Sequence, residues 1–103
     1  MTLGGLAVLL ESTGLPVTYR AWPEEQAPEL PHICYLAEQT NTTFADGRVY
    51  YSYDDVRVEL YCKLRDPVVE GTVEAALTGF HWKKNAIYLD TEKCWMVTYD
   101  IEV

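Results

Sequence analysis

The chain has 103 residues, 49% of them hydrophobic, and a formal charge of −8 from 16 acids against 8 Lys and Arg. That length suits one domain spanning residues 1–103, burying roughly 60–70% of its unfolded surface without metal or disulfide support, and the apolar content argues against disorder. The acidity disfavours phosphate backbones and anionic membranes, and three widely spaced cysteines, Cys34, Cys62 and Cys94, make no disulfide framework and fit a reducing cytoplasm.

The first element is an amphipathic helix. Leu3, Leu6, Leu9 and Leu10 recur at helical spacing, Thr2 can cap the start and Gly14 can end it. Gly4 and Gly5 each weaken it by about 1 kcal/mol relative to alanine, so it needs tertiary packing. The run is too short to span a bilayer and lacks the basic start and cleavage site of a signal peptide. In "LPVTYRAW" (15–22), Val17, Tyr19 and Ala21 alternate with Thr18 and Arg20, which predicts a strand.

"WPEEQAPELPHICYL" (22–36) follows. Pro23, Pro28 and Pro31 fix φ and remove three backbone donors, so neither helix nor ladder can run through it. It reads as a stiff extended loop, placed at the sheet edge, that delivers "HICYLAEQ" (32–39) as a strand apolar on both faces. "TNTTFADGRVYY" (40–51) carries turn chemistry, with Asp46-Gly47 as its hairpin signal. Residues 48–64 form the longest strand region. Val56, Val58, Leu60, Cys62 and Leu64 alternate there with polar residues, and Asp54-Asp55 marks a bend between a tyrosine-rich arm and the core strand.

Asp66 as N-cap and Pro67 at the first helical position open a second helix, with Val69, Val73, Ala76, Leu77 and Phe80 as its apolar stripe and a stop at Gly79 or the residues after it. Glu70 and Glu74 lie toward its favourable positive end. Two β runs over 86–103 close the chain, joined by a turn at 90–93. The predicted class is α+β: a mainly antiparallel four- to five-stranded sheet with two helices packed on one face.

No catalytic constellation emerges, so an enzyme, a metal and a cofactor are all unexpected. His32, His81 and the cysteines lack zinc-ligand spacing. The cysteines sit in apolar stretches, as small hydrophobes do. Glu24-Glu25 and Asp54-Asp55 read as solvated charge, because neighbours in a strand point to opposite faces. The Asn41 triplet "NTT" is a polar turn. Eight tyrosines and three tryptophans are many for this length, and such rings enrich interfaces as well as cores. The candidate interface residues are therefore Trp22, Glu24, Glu25, Pro28 and Leu30 of the proline loop and Tyr50, Tyr51 and Tyr53 of the arm.

"STGLPVTYRAWPEEQAPELPHICYL", "ADGRVYY", "RVELYCKLRDPVVEGTVEAAL" and "EKCWMVTYDIEV" together resemble a family of small proteins encoded in the structural modules of siphophages and prophages of Gram-positive bacteria. The resemblance rests on Leu15-Pro16-Val17, Pro23, Ala27-Pro28, Leu30-Pro31, Tyr35, Asp46-Gly47 and Asp66-Pro67. It implies a minor structural or head–tail component of a virion. In size and element order the chain is also similar to tail-completion and tail-terminator proteins, which form a ring, commonly hexameric, at the head-proximal end of the tail tube. The implied partners are copies of itself and a major tail protein or head–tail connector protein. DNA would pass through the ring without specific binding, and assembly would occur in the bacterial cytoplasm. A competing reading of the −8 charge is an acidic DNA mimic that inhibits a nucleic-acid enzyme. The alternation of acids and bases along 57–65 and 90–93 disfavours it.

Overall fold

The computed structural model describes residues 2–23, 27–45 and 47–103, with the side chains of 43–45 and 49–51 outside that description. Seven elements follow in order: α1 (Leu3–Glu11), β1 (Val17–Tyr19), β2 (His32–Ala45), β3 (Arg48–Cys62), α2 (Pro67–Ala76), β4 (Lys83–Leu89) and β5 (Cys94–Glu102). The strands form one sheet in the order β1-β2-β3-β5-β4, antiparallel except for the β1–β2 pair.

Both helices start where the sequence says. The Thr2 hydroxyl accepts from the Gly5 N–H at 3.0 Å, and one Asp66 carboxylate oxygen accepts from the Val68 and Val69 N–H groups, satisfying donors that the first turn leaves open. Gly14, at φ 82, takes the chain out of α1 into a left-handed conformation that costs glycine little. The second helix ends earlier than its apolar stripe. Ala76 is its last residue, and Phe80 reaches the core from the following turn, its N–H bonded to the Leu77 carbonyl.

The two helices cover one sheet face. Leu6 and Leu10 of α1 and Val73 and Leu77 of α2 pack with Ile33, Val56, Val58, Leu60, Val97, Tyr99 and Ile101, all buried. The register explains why these residues share a face: Ile33, Leu60, Val97 and Ala86 stand opposite one another across four strands, as do Tyr35, Val58, Tyr99 and Lys84. The intervening residues, including Arg57, Glu59, Tyr61, Met96 and Asp100, occupy the other face.

Further expectations are corrected. The strand predicted at 15–22 shrinks to three residues, because Arg20 takes a positive φ of 66 and turns the chain away after a last bond to the Tyr35 carbonyl. That short strand lies parallel to β2. A parallel neighbour needs a connection of about a dozen residues, and the proline segment between Tyr19 and His32 is that connection, with no helix among its described residues. It therefore does more than stiffen a sheet edge. Residues 40–45, read as turn, belong to β2; Gly47, just before β3, has φ 75, and Asp46 is outside the described residues.

The bend expected at Asp54-Asp55 comes from the other strand. β3 runs unbroken, while β2 slips register between Ala37 and Gln39, opposite Asp55 and Val56. Beyond that point β5 no longer accompanies β3; its pairing ends at Asp55–Glu102, with Asp54 and Val103 exchanging two backbone bonds. The hairpin continues alone as a two-stranded arm. The molecule is accordingly elongated, 50 × 28 × 22 Å.

Candidate assembly interface

The proline connection is fastened to the sheet through His32. Its Nδ1 lies 3.2 Å from the Pro28 carbonyl. Its ring sits between Trp22, edge-on at 5.7 Å, and Tyr61 at 5.3 Å. Burial lowers the His32 pKa against the pull of the Pro28 and Glu29 carbonyls, so the ring stays neutral at pH 7. Because His32 is opposite Tyr61, this contact forms on the face away from the helices. Trp22 is half-buried, and its indole Nε1 is enclosed with no hydrogen-bond partner among the described residues. Leu30, joined to Pro31 by a cis peptide bond, lies at the end of the sheet. There it lines an open groove of about 370 Å³ with Pro31, Cys62, Leu64, Pro67 and Val69. The structure thus brings Trp22, Pro28 and Leu30 to one end of the molecule; Glu24 and Glu25 lie outside the described residues.

The tyrosine arm is the second part of the predicted interface. Tyr50 and Tyr51 fall in β3 as expected, with side chains outside the description, and Tyr53 pairs across the arm with Asn41. At its base the arm is tied by polar side chains. The Thr40 hydroxyl donates to Asp54 Oδ1 at 2.6 Å and Asn41 Nδ2 to Asp55 Oδ2 at 2.9 Å. The two aspartates, read from the sequence as solvated charge, are thereby separate fasteners on separate rungs.

Other aromatic residues serve the fold. Tyr19 meets Tyr35 edge-on, Trp82 meets Tyr99 and Tyr88 meets Trp95, with ring centroids 5.2–5.4 Å apart. Tyr19 also accepts the Ala37 N–H on its hydroxyl. The cysteines are buried and unpaired; burial first, then neighbouring carboxylates, push Cys34 and Cys62 up to about 11, which keeps them as thiols.

Sequence reasoning missed an ion cluster under α2. Glu70, its side chain 5% exposed, takes two hydrogen bonds from Arg65, at 2.9 and 3.0 Å, and a Lys84 ammonium contact at 2.7 Å. Lys84 also reaches Glu74 at 2.7 Å, and the buried Tyr99 hydroxyl donates to that same Glu74 oxygen at 2.8 Å. Arg65 lies over the Trp95 ring, 5.5 Å from its centroid. The cluster clamps α2 to β4 and β5. Arg65's proximity in sequence hinted at half of it, but Lys84 arrives from another strand.

A cleft of about 640 Å³ opens along Glu38, Arg57, Asp100, Lys83 and Phe80. Arg57 pairs there with Asp100 at 3.3 Å and Glu38 at 3.6 Å. His81 is on its wall, and none of the described hydrogen bonds or ion pairs engages it. Charges alternate in sign across this face, so the acids form no phosphate-like row here. No helix among the described residues is long and apolar enough to cross a membrane, and no group of three or more His, Cys, Asp and Glu among them is placed to hold a metal ion.

No protein-family model and no curated protein matches the chain. Among solved structures, the fold is similar to that of a chain from the virion of a native gene transfer agent particle, with a TM-score of 0.63 and 13% identity. The match covers 97% of this chain and 85% of that one.

Proposed function

We propose that this chain is a non-enzymatic structural protein of a phage-like virion, a subunit of the tail-completion or tail-terminator type that closes with copies of itself into a ring at the head–tail joint. The observation that carries the proposal is the likeness to a virion chain over nearly the whole length, since a match of 97% leaves almost no part of the chain to a different architecture. The arm supports it. A two-stranded hairpin is only marginally stable alone in water, and one that extends past its sheet gains from a neighbour. The proline connection at the opposite end, with Trp22 against His32, offers a second, different surface, as a ring needs: head-to-tail contacts join unlike patches and close by rotation. The net charge of −8 fits a lumen that lets DNA pass without adhering.

The test is particle composition. An epitope-tagged chain is produced in the cells that encode it, and purified particles are quantified by mass spectrometry. The proposal expects one ring's worth of copies per particle, located by labelled electron microscopy where head meets tail. Particles that contain none of the protein, or carry it along the tail or over the capsid, overturn it.

A further inference from the structure

The strand edges assign a partner for the arm. We infer that the outer edge of β4 in one copy receives the hairpin arm of a second copy as an added strand; this rests on the assembly reading and names the surfaces that join.

Three observations converge. Among the described residues, the outer edges of Thr40–Ala45 and Arg48–Ser52 border no other strand, so the arm presents backbone N–H and C=O groups on both sides. At the far edge of the sheet, β4 pairs only with β5 and leaves its other side open along seven residues, Lys83–Leu89. The remaining edge, β1, has three residues and ends in the left-handed Arg20, too short to hold the arm. The length of the free arm matches β4 and not β1.

Side chains and charge agree. Ile87 and Tyr88 are 47% and 43% exposed on β4, large apolar groups that an added strand would cover. Among the described strands β4 alone has a positive balance, two lysines and no acid, in a chain whose net charge is −8. Lys84 is turned inward to Glu70 and Glu74, and Lys83 is exposed at the edge. A second copy of an otherwise acidic chain thus meets its least repulsive strand here. Arm and edge are different surfaces, so the contact is heterologous and repeats around a ring.

Hydrogen exchange of the unmodified chain, dilute and at about 1 mM, where even a millimolar contact is half occupied, reads the pairing directly. The amides of β4 and of one arm strand should slow together, by about twofold at half occupancy and more for a tighter contact. Two consecutive substitutions, Ile87→Pro and Tyr88→Pro, add a second readout. In an edge strand one of the two N–H groups points outward, so one proline leaves β4–β5 pairing intact. The variant that keeps its far-ultraviolet circular dichroism should stay monomeric and lose protection at both places. Arm protection without β4 protection, oligomers that survive the tolerated proline, or a strict monomer at that concentration overturns the pairing. A chain found in purified particles that gives any of these results refutes this contact and leaves the virion reading standing. Should neither proline variant fold, the exchange result on the unmodified chain decides.

Discussion

Replacing Glu70 by Gln tests the ion cluster that holds α2 on the sheet. The hydrogen bonds from Arg65, helped by Lys84 and opposed by burial, bring the Glu70 pKa from its ordinary 4.5 down to about 2. At ~1.4 kcal/mol per pKa unit this corresponds to about 3 kcal/mol. Arg65 is 42% exposed, so solvent screens part of that interaction, and Lys84 keeps Glu74 when Glu70 is neutralised. E70Q should therefore cost about 2–3 kcal/mol at pH 7. The folded pKa lies below the unfolded one, so this stability is fully present above about pH 4.5 and drains as the pH falls toward about 2. Urea unfolding followed by tryptophan fluorescence, on both proteins at pH 7 and pH 3, measures it. The gap between them should narrow by about half at pH 3. A loss below about 0.5 kcal/mol at pH 7, or a gap that stays the same at pH 3, refutes the assignment.

Tyr99→Phe keeps the buried ring and removes the hydroxyl that donates to Glu74 at 2.8 Å; urea unfolding should show a loss of about 1–2 kcal/mol, and an unchanged midpoint would mean the bond contributes nothing. Leu10→Ala empties a fully buried position between α1 and the sheet and should cost about 2–5 kcal/mol in the same assay, with α1 the first element to lose exchange protection. All three thiols are at most 4% exposed, with pKa values raised by burial, so a thiol reagent at pH 8 should label none of them until denaturant is added; prompt labelling would contradict their placement.

What the sequence determined is what short-range chemistry controls. Thr2 and Asp66 fix the helix starts because a cap bonds N–H groups two or three residues away. The alternation from Val56 to Cys62 fixes the core face because side chains in a strand point to alternate sides. Those signals, with Asp46-Gly47, suffice for the α+β class and for the existence of the arm. The aromatic content was less legible, since one residue type serves cores and interfaces alike: Tyr19, Tyr35, Tyr88 and Tyr99 pack on partners within the chain. Tertiary structure alone decided the contacts between residues far apart. It laid β1 parallel to β2, which gave the prolines a crossover to build. It also brought Lys84 between Glu70 and Glu74, and it left β4 as the long open edge. Strand order and ion pairing depend on which distant surfaces bury together, and no local pattern carries that.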